Sequence, residues 1–391
     1  MTPGKSLKPL AFAIMAVGII LGVILALEMR RSPSTAASKS ATPSAAEVTP
    51  ADLHAFGTAP ISASGDMQRI NEALDDLSSS KDAETSSRIL AKLRAYLLTL
   101  PKAAASRLIE QFLDQKKDGA TKLEFAIEKN GFLSGAPTLR VFLMDLLEKV
   151  DPQAAAQYAL QILSTPGSPD EWAISLRNYA LGGDASATQS LLEEKIQEML
   201  SNGAWRANPS VGYLEAFDAA VYTHDTALTP NLSHLIGDNR NPAVAHAAFL
   251  ALDRLVLSDP AAVLTQLQSQ PDLMAGHEQT RADYFARADA SDSRQKALLE
   301  GYLLDPNRTQ QELNAFAGIY PNQNYMISNN LLTQSDTPTY TQVVARDREA
   351  LTTVQGWMGD PRFQALQPQL QTLNNRLTTL LQQAPTAQQG N

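Results

Sequence analysis

The sequence predicts an all-α protein, in which antiparallel helix pairs are stacked behind one N-terminal transmembrane helix. Two observations predict this fold class. An uncharged apolar run of 18 residues covers Leu10–Leu27, and from Met67 onward apolar side chains recur at spacings of three and four, the period of an amphipathic helix. Aromatic residues make up only 6% of the chain, which favours packed helices over sheets.

The apolar run Leu10–Leu27 has the length of a membrane span. At a rise of about 1.5 Å per residue it extends roughly 27 Å, close to the ~30 Å hydrocarbon core of a bilayer. It is longer than the apolar region of a cleaved signal peptide and ends in the charged segment Glu28–Arg31. We therefore expect residues 1–31 to form an uncleaved signal anchor. A cleaved signal peptide and a buried core helix are the alternatives.

The charges that flank this run leave its orientation nearly balanced. Lys5 and Lys8 precede it, whereas Arg30, Arg31 and Lys39 follow it. A first helix usually directs export, and large domains are translocated largely regardless of charge. We therefore expect an extracytoplasmic body, which would be periplasmic in a bacterium.

A G-x-x-x-G pattern lies inside the apolar run. Gly18 and Gly22 fall on one helix face, where two small residues allow a second helix to approach closely. The pattern predicts a homodimer through this helix. The alternative is that these glycines are ordinary residues of a transmembrane helix, in which Gly is common.

Residues 32–66 have the composition of a flexible tether. The segment is dominated by Ser, Thr, Pro and Ala and has no apolar periodicity. Such a segment cannot bury enough surface to offset the entropy lost on ordering. We expect it to hold the body away from the membrane.

The segment Lys116–Gly135 interrupts the helical pattern. Leu123, Phe125 and Ile127 alternate with polar residues, and Asn130-Gly131 follows. Alternation followed by Asn-Gly is typical of a β-hairpin. A packed connection between two helices is the other interpretation, and the sequence leaves both open.

The helices that follow share a start signal. A polar capping residue precedes a proline, which suits the first helical position because no N–H donor is needed there. Six pairs have this form: Asp151-Pro152, Ser168-Pro169, Asn208-Pro209, Thr229-Pro230, Asn241-Pro242 and Asp259-Pro260. Ser168 with Glu171, and Thr309 with Glu312, also match the capping box. Thr138–Val150 is apolar on nearly every face and is therefore expected in the interior.

Helix starts recur at the length of a helical hairpin. Pro137 and Pro169 are 32 residues apart, and Pro209 and Pro242 are 33 apart. Asn241–Pro271 resembles a HEAT-type helix pair, with a first helix that begins at Pro, an Ala/Leu-rich face and an Asp-Pro turn. The resemblance is to the repeat architecture alone. It implies a HEAT-like solenoid over residues 67–308, and such stacks present extended concave binding surfaces.

Residues 309–381 are predicted to form a C-terminal helical cap. Tyr340–Met358 has the pattern of one long helix, and apolar residues then recur at near-heptad spacing from Phe363 to Leu380. This stripe either packs back on the body, as a terminal repeat requires, or forms a homodimer seam with a second chain. We expect residues 382–391 to be disordered.

The sequence contains no motif of a known catalytic, cofactor or metal site. HExxH, G-x-S-x-G, a P-loop and a dinucleotide fingerprint are all missing, and there is no cysteine. His224, Asp225 and His234 would bind a metal only if two helices converged. We predict no cofactor. Nucleic acid is not an expected partner, because the net charge is −9 and Lys and Arg are not clustered.

The best candidates for contact with a protein partner are Trp205 and Arg206. They lie in Asn202–Asn208, which is expected to be a loop between helices. Trp and Arg are enriched at interface hot spots, and loops carry function more often than packed helices do. The alternative is that Trp205 fills a gap between adjacent helix pairs.

These features predict a membrane-anchored, non-catalytic helical-repeat scaffold that binds a protein partner in the cell envelope. The inference from architecture to function is an analogy at the level of the fold. The alternative is a membrane-tethered enzyme that acts on cell-wall glycan. Its site would be a carboxylate pair in the groove of the solenoid, since two acids require no local motif.

Overall fold

The computed structural model describes residues 63–384, except Asp184, Asn239, Ser335 and Asp336. The predicted anchor with Gly18 and Gly22, nearly all of the predicted tether and most of the predicted disordered tail lie outside these residues. Within them, no helix is both long enough and apolar enough to cross a bilayer.

The first half of the described chain is helical apart from one short hairpin. Its helices are α1 (Ala63–Ser79), α2 (Ala83–Thr99), α3 (Lys102–Asp114), α4 (Leu139–Val150), α5 (Pro152–Leu163), α6 (Pro169–Gly182) and α7 (Ala185–Ser201). The hairpin consists of β1 (Ala126–Ile127) and β2 (Leu133–Gly135), which lie between α3 and α4.

Four short helices open the second half, and longer ones follow. They are α8 (Gly203–Ala207), α9 (Val211–Glu215), α10 (Asp218–Tyr222), α11 (Thr229–Ile236), α12 (Pro242–Ser258), α13 (Pro260–Ser269), α14 (Glu278–Phe285), α15 (Ser293–Leu303), α16 (Gln310–Ile319), α17 (Tyr340–Gly359) and α18 (Gln367–Gln383). The predominantly helical class is therefore confirmed for the described chain.

The hairpin interpretation of Lys116–Gly135 is confirmed. β1 and β2 pair antiparallel, with Ala126 opposite Gly135 and an irregularity before Ile127 pairs with Leu133. Gly131 in the connecting loop has φ +81°, in the left-handed region that glycine adopts without a Cβ penalty.

Three of the predicted helix starts are confirmed in detail. Asp151, Asn241 and Asp259 each accept a hydrogen bond from a main-chain N–H in the first turn of α5, α12 and α13. In contrast, α9 begins after Asn208-Pro209 and is capped by Ser210. At Thr229-Pro230, α11 begins at Thr229 itself, directly after a 3₁₀ turn.

Neither predicted capping box forms completely, because the glutamate of each box forms an ion pair with an arginine of another helix. Ser168 makes no side-chain capping bond, and the Glu171 carboxylate binds Arg140 at 2.7 Å instead. The Thr309 hydroxyl caps α16, but the carboxylate of Glu312 is turned towards Arg281. A complete box is present at the start of α17, between Thr339 and Gln342.

The first helix begins earlier than the apolar pattern predicts. α1 includes Asp66, which the composition places in the tether, and its carboxylate accepts a hydrogen bond from the Tyr96 hydroxyl of α2. An acid in the first turn is also favoured by the helix dipole.

The interior position of α4 is confirmed, and it includes polar residues. Leu139 and Leu143 are fully buried, but Arg140, Asp145 and Glu148 are also less than 10% exposed. The C-terminal helix α18 packs against α16 and α17 and buries its apolar stripe there. A homodimer through this segment stays a prediction.

Five buried or half-buried Arg–carboxylate pairs join neighbouring helices or, at Arg287, the turn that follows α14 to a neighbouring helix. Their members are 31 to 36 residues apart: Arg140–Glu171, Arg177–Asp145, Arg254–Asp218, Arg281–Glu312 and Arg287–Asp253. In each pair, the two residues are therefore separated in sequence by about the number of residues predicted for one pair of helices.

Candidate functional site

From the end of α16 to Gln334, the chain makes a long excursion without helix or strand. We call its residues Asn322–Gln334 the arm. Irregular segments of this length are uncommon in compact domains and usually have a function. The arm contacts Ile127 of the hairpin, Asp218 of α10 and Arg254 of α12, which are far from it in sequence.

The first anchor of the arm lies at Asn322, which is 4% exposed. Its N–H donates to the Ala286 carbonyl at 2.7 Å, and its own carbonyl accepts from the Arg287 guanidinium at 3.1 Å. Its side-chain amide donates to the Asp283 carbonyl at 3.2 Å. Its main-chain N–H, its carbonyl and its side-chain NH2 group are thus all bonded to residues at the end of α14 or directly after it.

The buried carboxylate of Asp253 and the half-buried carboxylate of Asp283 belong to helices that flank this anchor. Asp253 of α12 holds the Arg287 guanidinium by two hydrogen bonds of 2.9 and 2.7 Å. Burial raises the pKa of Asp253, and the adjacent Arg287 opposes that rise. Burial also raises the pKa of Asp283 to about 6. The Arg287 guanidinium is therefore fixed by Asp253 in the orientation that binds the arm.

The second anchor is Asp218, a 5% exposed residue of α10. Its Oδ2 accepts from two successive main-chain N–H groups of the arm, Leu332 at 2.7 Å and Thr333 at 3.0 Å. Arg254 donates to Oδ1 at 2.8 Å. The Thr333 hydroxyl lies between the two charged groups, where it accepts from Arg254 and donates to Asp218.

A third set of contacts joins the arm to the hairpin. The Asn329 side chain donates to the Ile127 carbonyl at 2.8 Å. Leu331 is 3% exposed, and its carbonyl lies so close to Gly131 that a Cβ there would collide with it. Gly131 therefore serves both the left-handed turn and the close approach of the arm.

Between these anchors the arm exposes two large apolar side chains. Met326 is 51% exposed and Ile327 is 79% exposed. No other large apolar residue in the described part of the chain is as exposed as Ile327. Large exposed apolar side chains at adjacent positions are candidates for contact with a partner.

Comparison of the chain with protein-family models, with characterised proteins and with solved structures found no match. Function is therefore inferred from the arm, its anchors and the rest of the described chain.

The structure places Trp205 in the short helix α8, not in a loop, because the Asn202 side chain caps that helix. The half-buried indole meets Trp172 edge-on at 5.2 Å and Tyr213 at 6.1 Å between ring centroids. Trp172 is 2% exposed, as expected of an interior residue. These contacts match the gap-filling interpretation of Trp205, and its role in partner binding stays a prediction.

Arg206 lines a small surface pocket with Asp238, Arg240 and Val244. Asp238 and Arg240 form an ion pair of 2.6 Å. The Nε of Arg206 is buried and has no hydrogen-bond partner among the residues that the structure describes. Partner binding by Arg206 also stays a prediction.

We expect Trp205→Ala to lower the free energy of unfolding by about 2 kcal/mol, since it removes two aromatic contacts and part of a buried surface. Thermal melts followed by circular dichroism would measure this change. Trp205→Phe, which keeps an aromatic ring at this position, is the control and should lose less. An unchanged melting temperature for Trp205→Ala would show that the indole does not stabilise the fold.

No metal cluster is present in the described part of the chain, where no three His, Asp or Glu side chains converge. Asp145 and Glu148 share a face of α4, but Asp145 is paired with Arg177 at 2.7 Å. Burial raises the pKa of Glu148 to about 7. Both acids lie inside the helix packing and not in an open groove.

Sequence reasoning missed the arm and its anchors. The one available signal was the density of Asn, Ser and Thr after Tyr320 in a segment without apolar period. Asp218, Arg254 and Arg287 carry no local motif, because their partners lie 34 to 115 residues away.

Proposed function

We propose that this chain is a membrane-anchored, non-catalytic helical scaffold that binds a protein partner in the cell envelope. The observation that carries the proposal is the arm. In it, the buried charged side chains of Asp218 and Arg287 hold an irregular segment of chain by its main-chain atoms, which supports binding of a peptide segment by the same helices. The arm also exposes Met326 and Ile327.

A HEAT-like stack of helix pairs is part of this proposal. The five Arg–carboxylate pairs that join positions 31 to 36 residues apart support it, because stacked helix pairs bring positions about one repeat length apart into contact. Stacked helix pairs form extended surfaces that suit a long, narrow ligand such as a peptide segment.

The membrane anchor is supported by the apolar run Leu10–Leu27. We expect the full chain to stay in the membrane pellet after alkaline carbonate extraction, and N-terminal sequencing to find the original start. Release into the supernatant, or a mature start near Ala37, would contradict the anchor.

The partner-binding function is tested by photo-crosslinking in cells that produce the full chain. A photo-reactive amino acid at Ile327 should yield a discrete adduct with one protein. The same group at Gln371, an exposed position of α18, is the control and should not yield that adduct. Identical adducts at both positions would contradict a specific site. Hydrolysis of cell-wall glycan by the purified protein would favour the enzyme alternative instead.

A further inference from the structure

We infer that the arm covers a surface of this protein to which an extended segment of the partner can bind. When the partner binds, its segment replaces the arm on that surface. This inference rests on the proposed function and specifies the partner's contribution. The partner is identified by its chemistry: an extended main chain with an apolar residue two positions before a Ser or Thr.

The main-chain contacts of the arm are the first support. Asp218 accepts from the N–H groups of Leu332 and Thr333, at 2.7 and 3.0 Å. Arg287 donates to the Asn322 carbonyl at 3.1 Å, and the Ala286 carbonyl accepts from the Asn322 N–H at 2.7 Å. Every polypeptide carries these groups, so the surface is suited to an extended chain of another protein.

Two side-chain positions of the arm define the sequence that fits best. The Thr333 hydroxyl lies between the carboxylate of Asp218 and the guanidinium of Arg254, a position that Ser would also satisfy. Leu331 is buried against Gly131. A segment that lacked the hydroxyl would leave the buried carboxylate of Asp218 and the half-buried guanidinium of Arg254 with one contact fewer, which costs binding energy.

The composition of the arm makes its replacement feasible. Asn324, Ser328, Asn329 and Gln334 are exposed, and Leu331 is the one fully buried apolar side chain between Asn322 and Gln334. Water can form hydrogen bonds with the polar groups that separate when the arm opens, which offsets part of the enthalpy lost. An attached arm nevertheless competes at an effective concentration of the order of millimolar.

The test uses the full chain and a fluorescent peptide with the sequence of Asn322–Gln334. In a released variant, residues 329–334 are replaced by a Gly/Ser stretch of equal length. We expect the released variant to bind the peptide at least about tenfold more tightly than the wild type does, because residues 329–334 no longer compete for Asp218, Arg254 and the hairpin. Fluorescence anisotropy measures both affinities.

Two matched controls locate the binding. Asp218→Ala in the released variant should abolish peptide binding, and a peptide with Thr333→Val should bind more weakly than the parent peptide. Should the released variant fail to fold, the full chain with Thr333→Val, which retains the main-chain contacts, replaces it. That variant should bind the parent peptide more tightly than the wild type does.

Folded variants that bind the peptide no more tightly than the wild type would overturn the inference. The arm would then be a structural strap. If these variants bound the peptide no more tightly but photo-crosslinking at Ile327 still gave a specific adduct, the partner-binding proposal would stand. Only the inference that the arm occupies the partner's binding surface would be rejected.

Discussion

Leu143→Asp is expected to unfold the helical body or make it insoluble. Leu143 is fully buried in α4, a helix that is enclosed on nearly every side. A carboxylate placed there loses its hydration without gaining a partner, at a cost of several kcal/mol. That cost is comparable with the ~5–15 kcal/mol stability of a typical domain. The soluble yield and the circular dichroism melt of the full chain would measure the effect.

Leu98→Asp is the matched control for this substitution. Leu98 in the last turn of α2 is 54% exposed, so the same chemical change meets water there. We expect only a small loss, from the unfavourable position of an acid near a helix C-terminus. If Leu143→Asp melted like Leu98→Asp, the packing of α4 as described here would be wrong.

Arg177→Met is expected to lower the free energy of unfolding by about 3–5 kcal/mol, because it leaves a buried carboxylate without its counter-charge. Arg177 and Asp145 are both 1% exposed at the side chain, and their charged atoms are 2.7 Å apart. The same guanidinium donates to the Gly131 carbonyl at 2.9 Å and so ties the hairpin to α6. Denaturant titration of wild type and variant would measure the loss.

Two further variants separate the buried charge from simple loss of packing. Arg240→Ala removes a cation from a pair whose Arg is 79% exposed, and we expect its melting temperature to remain near that of the wild type. Arg177→Met combined with Asp145→Leu should recover part of the stability, since no isolated charge then remains inside. An Arg177→Met variant as stable as Arg240→Ala would show that the pair does not stabilise the fold.

The helical class follows from short-range features that are visible in the chain itself. Leu90, Leu93 and Leu97 are spaced to fall on one face of α2, and all three are buried. The Asp-Pro pairs at 151 and 259 begin α5 and α13, because a cap and a proline act within one helical turn. The Asn-Gly at 130 marks the loop of the hairpin for the same local reason.

Contacts between distant residues overrode some of these local signals. Glu171 is three residues from Ser168 and suits a capping box, yet it binds Arg140 of a neighbouring helix. A bidentate ion pair in a half-buried site outweighs a cap that water can replace. The indole of Trp205 likewise packs on Trp172 and Tyr213. These contacts depend on which helices are adjacent in the fold.

By itself the sequence determined that the described chain is helical, where several of its helices begin and that α4 is internal. Only the tertiary structure revealed the arm and its anchors. Asp218 meets Thr333 across 115 residues of chain, and Asn329 meets Ile127 across 202. Periodicity and capping act over one or two turns, whereas these contacts depend on how the helices between them pack. An irregular segment such as Asn322–Gln334 has no period of its own, so its path is decided by the surface that holds it.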